Sequence, residues 1–577
     1  MPKMKVADFL IETLAASGVK RIYGIVGDSL NGLADAIHSR SDRIEWFGVR
    51  HEEEAAFAAG AEAQSTGRLA VCAGSCGPGN LHLINGLYDC YRSRVPVLAI
   101  ASHIPSREIG TRYFQETHPA QLFSECSEYC ELVSRPEQIA RVLEIAIHTS
   151  VSRRCVSVVI LPGDISLLDM EGAASAAPAG EQKSSLIPPQ EELRRAADIL
   201  NAASKVTILG GAGCEGAHDE LMEIAGMLKS PVVHALRGKE FIEYDNPYDV
   251  GMTGFLGFSS GYHAMMDADA LLMLGTDFPY RQFYPGHAKT IQVDIRGEQI
   301  GRRTNVDVGL RGDVRSTLRA LRQYLKAKED ADGHLKNSLE HYARTRADLD
   351  ALAQPGRGQV PVHPQYVARV IDRLAADDAI FTCDVGTPTL WAARYLTMNG
   401  RRKLLGSFSH GSMAGALPQA IGAQAAFPGR QVIALSGDGG LSMLLGELLT
   451  LGQHNLPVKV IVFKNGALDF VELEMKSAGI IPYGTDLVNP DFGKVAGAAG
   501  LFGLSVEKGE DVEDMVARAL RHEGPALVDV PVNRHELIVP PGIHYEELKG
   551  FTLYMAKAVL SGKGNEVVDL ARTALFR

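Results

Sequence analysis

QVIALSGDGG at residues 431–440 and VKVIVFKNG at 458–466 bracket the helical pattern LSMLLGELLTLGQHN (441–455), and this stretch decides the fold. Each apolar run is short, rich in β-branched residues and bounded by Gly or Pro, as parallel strands buried on both faces are. Twenty-four residues, 440–463, separate GDG (437–439) from Lys464-Asn465, enough for one helix and one strand. That length suits the right-handed crossover between parallel neighbours. Both polar turns then fall at the carboxyl ends of adjacent strands, where open α/β sheets bind ligands. Asp438 and Asn465 offer hard oxygen donors, suited to a Mg²⁺ that also grips a diphosphate. Gly437, Gly439 and Gly440 let backbone N–H groups approach phosphate oxygens at a helix N-terminus. GDG alone is a weak signal. GDG, helix, strand and Asn-bearing turn together point to this chemistry rather than to two ordinary turns.

Outward from that stretch, the same alternation recurs. AIFTCDVG (379–386), KLLGSF (403–408) and ALVDVPV (526–532) complete a third α/β block. The first block carries RIYGIVG (21–27), IEWFGV (44–49), LAVCAG (69–74), VPVLAIAS (95–102) and CVSVVILPGD (155–164). The second carries KVTILGG (205–211), PVVHAL (231–236), ALLMLGTD (270–277) and TIQVDI (290–295). A Pro-rich, small and polar stretch, EGAASAAPAGEQKSSLIPP (171–189), reads as a linker. A charged helical run (319–352) and the loop AQPGRGQVPVHP (353–364) follow the second block. The predicted fold class is therefore α/β, three doubly wound parallel-sheet domains at 1–182, 183–336 and 337–535, with a C-terminal amphipathic helical tail at 536–577.

Length agrees, since 577 residues at roughly 150 per domain give about three to four. A net charge of −11, with 58 Lys+Arg against 69 Asp+Glu, argues against nucleic acid as a partner. The eight cysteines show no zinc-finger spacing and read as reduced, buried thiols of a cytoplasmic chain. The N-terminus turns charged too soon for a signal peptide, and no apolar run approaches the ~18 residues of a membrane span.

Residues 437–465 resemble the cofactor motif of thiamine-diphosphate enzymes, with Lys464 standing where the first Asn of that motif usually is. The resemblance implies metal ligands at Asp438, Asn465 and the backbone carbonyl of Ala467. It runs the cofactor contacts through Gly439, Gly440, Gly466, Leu468, Asp469 and Phe470. In the first block, Arg50-His51-Glu52 stands between a strand and a helix. Alone, Glu52, Glu53 and Glu54 read as acids favouring a helix N-terminus. In the family, the Glu after Arg-His hydrogen-bonds the aminopyrimidine ring and takes part in acid–base work, a role that depends on geometry before pKa. Glu52 matches it, leaving Glu53 and Glu54 as helix-start charges. Gly77-Pro78-Gly79-Asn80 resembles the pyrimidine-side loop, and Gly411-Ser412-Met413 the segment whose bulky apolar residue bends the cofactor.

FAAGAEAQ (57–64), VCAGSCGPGNLHLINGLYDC (71–90), YFQETHP (113–119), HALRGKE (234–240), YDNPYDVGMTG (244–254), FTCDVGTPT (381–389) and GFTLYM (550–555) are similar, nearly phrase by phrase, to the quinone-dependent pyruvate oxidases. That resemblance implies FAD in the second block. By pattern, Gly211-x-Gly213-x-x-Gly216 after a strand is only a weak dinucleotide fingerprint. Arg237 and Glu240 leave the expected acidic partner ambiguous. By resemblance the flavin-facing residues are Thr253, Gly254, Phe255 and Leu256, then Thr276, Asp277, Phe278, Pro279 and Tyr280, and Asp294. Gly211 and Gly213 would support the diphosphate. The reaction pocket would be lined by Phe114, Gln115, Phe470 and Glu474.

Residues 549–577 hold five Lys/Arg and two acids, with apolar stripes at Phe551, Tyr554, Met555, Ala558 and Val559 and at Val567, Leu570, Ala571, Ala574 and Leu575. Such a basic amphipathic segment either docks on its own subunit or lies in a membrane interface. The resemblance implies the second. It further implies pyruvate oxidised to acetate and CO₂, electrons passed through FAD to ubiquinone or menaquinone, and a homotetramer. The enzyme would be peripheral, when reduced, on the cytoplasmic face of the cell membrane. The rivals are an acetolactate-synthase-like carboligase, a soluble oxidase using O₂ and phosphate, and a catalytically silent scaffold.

Overall fold

The computed structural model describes residues 3–172, 185–355, 361–534, 536 and 554. Most of the linker reading (173–184), part of the loop at 356–360 and the tail stripes other than Tyr554 lie outside the described residues. Three six-stranded sheets, each parallel throughout, succeed one another along the chain. The first holds β1 (Arg21–Gly24), β2 (Glu45–Gly48), β3 (Ala70–Gly74), β4 (Val97–His103), β5 (Tyr129–Leu132) and β6 (Val156–Pro162). The second holds β7 (Val206–Gly210), β8 (Val232–His234), β9 (Asp249–Met252), β10 (Ala270–Leu274), β11 (Lys289–Asp294) and β12 (Val308–Arg311). The third holds β13 (Ile380–Cys383), β14 (Lys403–Gly406), β15 (Val432–Gly437), β16 (Lys459–Lys464), β17 (Phe502–Ser505) and β18 (Ala526–Pro531).

The order in the first sheet is β2-β1-β3-β4-β6-β5, and in the third β14-β13-β15-β16-β18-β17. These are the same winding. The second sheet runs β9-β8-β7-β10-β11-β12, the 3-2-1-4-5-6 order of dinucleotide-binding folds. The sequence pattern predicts the central strands, because they are apolar runs buried from end to end: β3, β4, β6, β7 and β10 are buried at every residue. It does not predict β5, β9, β12 and β17. All four are edge strands of four residues, and an edge has one covered flank and a weaker apolar signature.

The first and third sheets share one hydrophobic core. It is built on helices α1 (Glu52–Thr66), α2 (Pro78–Ser93) and, in the third domain, α4 (Ala416–Ala426), which follows α3 (Thr387–Tyr395). Small residues let these helices approach closely. A Cβ on Gly422 would fall 2.1 Å from the Ala58 carbonyl oxygen, and one on Gly86 2.5 Å from the Ala56 side chain. The second domain closes cores of its own on the two faces of its sheet. Two further helices carry the site, α5 (Asp438–Met443) and α6 (Asp469–Ser477). All eight cysteines are free thiols, seven of them buried.

Candidate active site

β15 and β16 are hydrogen-bonded neighbours, with Gly437 opposite Phe463, so the two polar turns emerge side by side. α5 starts directly at Asp438, which is buried. Its Oδ1 accepts from the Gly439 N–H at 2.9 Å, and its Oδ2 from the Gly466 N–H at 2.7 Å and from Asn489 Nδ2 at 2.8 Å. Asn465 Oδ1 accepts from the Ala467 N–H at 3.0 Å, and its Nδ2 donates to Asp469 Oδ2 at 3.2 Å. Burial pushes the Asp438 carboxyl up from its ordinary range, and backbone N–H groups, Gly466 first, pull it back. A carboxylate and an amide oxygen meeting at a buried strand end is a donor set that a divalent cation satisfies. The cradle is tight: a Cβ on Gly440 would sit 2.2 Å from Asp384 Oδ2, and one on Gly439 would be 3.2 Å from the Met413 methyl. The residues present therefore fit a Mg²⁺-held diphosphate.

Lys464 does not enter this cradle. Its ammonium pairs with the fully buried Asp529 carboxylate at 2.5 Å, on the next strand. The departure from Asn is thus absorbed by β18. Asp469 is buried, and burial, then repulsion by Glu472, pushes its carboxyl up to about 7.

A cavity of about 2390 Å³ runs from this cradle into the second domain. Gly411, Met413, Asp438, Gly439, Gly440, Asn465, Ala467, Leu468, Asp469, Phe470 and Glu474 line it on one side. Gly211, Gly213, Thr253–Leu256, Thr276–Tyr280 and Asp294 line it on the other. Pockets for one small molecule are ~300–1,000 Å³, so this one has room for two groups. Its second-domain end lies at the ends of β7 and β10, where the strand order reverses. There Gly213 meets Gly275 backbone so closely that a Cβ would be 2.6 Å away. Asp277 accepts from Arg94 at 2.9 Å and Arg303 at 3.2 Å, and Asp294 from the Arg296 N–H at 2.9 Å. The ambiguous pair resolves differently: Arg237 donates to Ser93 O and Ser409 Oγ, and Glu240 accepts from the Leu404 N–H.

Glu52, Asn80, Phe114, Gln115, Ser412 and Gly466 are not among that lining. Gly466 instead donates to Asp438. Ser412 faces the first domain, accepting from Asn85 Nδ2 at 2.9 Å. Asn80 turns inward, donating to Ser102 O at 2.7 Å, with its own oxygen unpartnered among the described residues. Glu52, Phe114 and Gln115 gather around the Gly77–Asn80 turn. A Cβ on Gly79 would come within 3.0 Å of Glu52 Oε1, and one on Gly77 within 2.9 Å of the Gln115 backbone. Gln115 has φ +64 and accepts from the Cys76 thiol at 3.3 Å, while Phe114 is 79% exposed. Glu52 is buried, and its Oε2 lies 2.9 Å from His82 Nδ1.

Of the neighbouring acids, Glu53 accepts from Asn85 at 2.7 Å at the helix start. Glu54 corrects the sequence reading. It is fully buried with neither oxygen partnered among the described residues, and burial, then Glu447, holds its carboxyl well above the usual range. It is a core acid rather than a surface charge. Sequence reasoning also missed His82, Asn489 and Asp384, the last accepting from the Ala416 and Gly437 N–H groups. Each is a single polar residue without a spacing pattern. The strand-end acid that opens DVG (384–386) was the one available signal, for Asp384.

Two similarly wound sheets around a dinucleotide-type sheet, with an acid turn on one and a metal cradle on another, describe a class of cofactor-dependent enzyme. Three family profiles match the chain: the thiamine pyrophosphate enzyme N-terminal TPP-binding domain at 4–122, the central domain at 193–321 and the C-terminal TPP-binding domain at 384–530. The chain belongs to the thiamine pyrophosphate enzymes, and it is a thiamine-diphosphate-dependent enzyme of the decarboxylating type. Among similar proteins, an uncharacterized 42.6 kDa protein of Pseudomonas amyloderamosa is 60% identical over 63% of this chain and 91% of its own. A pyruvate oxidase of Lactiplantibacillus plantarum is 30% identical over 91% of this chain and 88% of its own. An acetolactate synthase of Arthrospira platensis is 30% identical over 94% of this chain and 97% of its own.

Proposed function

We propose that this enzyme oxidatively decarboxylates pyruvate to acetate and CO₂, passing the electrons through FAD to ubiquinone or menaquinone. The observation that carries the reading is the single cavity joining the metal cradle to the switch point of a 3-2-1-4-5-6 sheet. A dinucleotide at one end and a diphosphate at the other would share one enclosed space. Thiamine diphosphate supplies the electron sink that lets a 2-oxo acid lose CO₂, and the flavin takes up the electron pair. The chain's own residues bind and orient. Asp438, Asn465 and the Ala467 carbonyl would hold Mg²⁺, the side-chain-free Gly439 and Gly440 would let a diphosphate approach, and Met413 would supply an apolar wall. Gly211, Gly213, Thr253–Leu256, Thr276–Tyr280 and Asp294 hold the flavin. Glu52 holds the proton exchanged with the aminopyrimidine, and Phe114, Gln115, Phe470 and Glu474 surround pyruvate.

Because Glu52 and the cavity do not meet within one chain, the acid would come from a second copy. Exposed apolar side chains beside each half support this: Val26, Leu81, Tyr113 and Phe114 in the first domain, and Ile480, Tyr483 and Val488 in the third. A homotetramer would pair these faces twice. The basic tail would bring the reduced enzyme to lipid on the cytoplasmic face of the cell membrane, where quinone is dissolved. No helix among the described residues is long and apolar enough to cross a membrane. Tyr554, within the tail, is buried with its ring 5.6 Å from Lys476 Nζ on α6, so tail and site helix touch in this state.

Anaerobic addition of pyruvate to the protein loaded with thiamine diphosphate, Mg²⁺ and FAD tests the reading. Bleaching of the yellow flavin with acetate formed in equal amount is the expected result. Acetolactate without bleaching would replace it with the carboligase reading.

A further inference from the structure

The Glu54 carboxyl, the Cys76–Gln115 contact and the His82–Glu52 pair lie outside the roles given above. Glu54 is sealed in the core and the Cys76 thiol is buried, so neither leads anywhere. The third feature connects a buried acid to a half-exposed imidazole. α2 begins at Pro78 and lays its first turn across the first turn of α1. Gly79 leaves room for Glu52 Oε1, and His82, one turn into α2, sets Nδ1 2.9 Å from Oε2. The two side chains differ sharply in exposure, 7% for Glu52 and 44% for His82. His82 also stacks on His51, with ring centroids 4.3 Å apart and planes 25° apart. His51 in turn accepts the Glu53 N–H through Nδ1 at 3.2 Å, which fixes its own proton on Nε2. The titratable groups around this imidazole pair are Glu52 and Glu53, both from α1, and Asn85 holds Glu53 in place.

Resting on the reading that Glu52 holds the exchanged proton, we propose that His82 is a positioning residue that relays that proton between Glu52 and the outer face of the site. As the O–H bond at Glu52 Oε2 breaks, an N–H bond forms at His82 Nδ1, and the proton on Nε2 leaves outward. The reverse sequence reloads the acid. No electrons change hands, and the only co-reactant is water. The stack on His51 keeps the ring in the plane that this transfer needs, and burial of Glu52 leaves it no other titratable hydrogen-bond partner among the described residues.

The test uses the full-length protein with thiamine diphosphate and Mg²⁺ and no substrate, reading hydrogen–deuterium exchange at the thiamine C2 position by acid quench and NMR. Four outcomes are expected, the kcat–pH profile being read separately with pyruvate present. His82→Ala slows exchange at least about tenfold, within the span general acid–base groups command, and free imidazole restores it. His82→Gln, which keeps an N–H donor to Oε2 and fills the space, stays slow with or without imidazole. The kcat–pH profile of His82→Gln loses one titrating limb. The dissociation constant of thiamine diphosphate, read by fluorescence quenching, stays within threefold of the parent in both variants. Parent-like exchange and pH profile in His82→Gln overturn the relay, as does a tenfold weaker cofactor. Slow exchange in Glu52→Gln alone leaves the acid in place and removes only the relay. Parent-like exchange in all three variants removes the acid assignment itself.

Discussion

The first and third sheets are wound identically, yet their third strands end in opposite chemistry. In the third domain, β15 leads straight into α5, with Asp438 as its first residue and glycines beside it, and backbone N–H groups hold its carboxylate in the cradle. In the first, β3 is followed by Ser75-Cys76-Gly77 and a helix opening at Pro78. Proline has no N–H to offer, and this turn instead gathers side chains: Glu52, His82 and Gln115 all touch or flank it. One winding thus presents an anion-and-metal holder in one copy and an acid–base surface in the other. Topology chooses the place. The turn residues choose the chemistry.

That contrast can be broken by crossing its two sides. Glu52→Gln should lower kcat by about 10²–10⁴-fold while leaving the circular dichroism spectrum and the affinity for thiamine diphosphate close to the parent; retained turnover would dissolve the acid–base side. Asp438→Ala should do the reverse. Calorimetric titration of the cofactor at fixed Mg²⁺ is expected to show binding weaker by at least about a hundredfold, since even partners of metal ligands cost about 10–100-fold. If binding kept its Mg²⁺ dependence, the cradle side would be misassigned.

A smaller effect probes what joins the two copies. Gly422→Ala forces a Cβ to 2.1 Å from the Ala58 carbonyl oxygen, and backbone cannot swing aside as a side chain can. Overpacking of this kind costs about 1–3 kcal/mol, read as a lowered thermal midpoint with both domains melting together. Separate transitions would mean that the shared core is weaker than its packing implies.

The smallest prediction sets the differently wound middle sheet apart. Burial, then Glu243, pushes the Asp249 carboxyl up to about 7 from an ordinary 3.8. Its folded value is raised, so its contribution is fully present below about pH 3.8 and lost as pH rises through about 7. Asp249→Asn carries no such loss. Its thermal midpoint relative to the parent should climb between those two pH values and level off above; a difference independent of pH would assign the effect to packing.

Much of this was legible in the residues. Strands such as VSVVILP and AVCAG are buried at every position, and only a continuous apolar run satisfies that. GDG and Lys464-Asn465 were readable because a crossover has a narrow length. Four of the six edge strands were not, since YCEL or FGLS needs only one covered flank and its apolar residues carry no period. Nor were His82, Asn489 and Asp384, whose roles arise from where two helices or loops cross. Glu54 looked like its two neighbours in sequence; only the depth of α1 separates a buried core acid from a helix-start charge.

The shared core of the first and third domains carries a consequence for regulation. Helices of the two domains held backbone to backbone at Gly422 and Ala58 cannot rock against each other, so a chain has no freedom to swing its own Glu52 toward its own Asp438. Under the proposed function, competence is then a property of association: specific activity should collapse on dilution below the dimer's dissociation constant, and mixing two differently inactivated chains, Glu52→Gln with Asp438→Ala, should regenerate some intact centres.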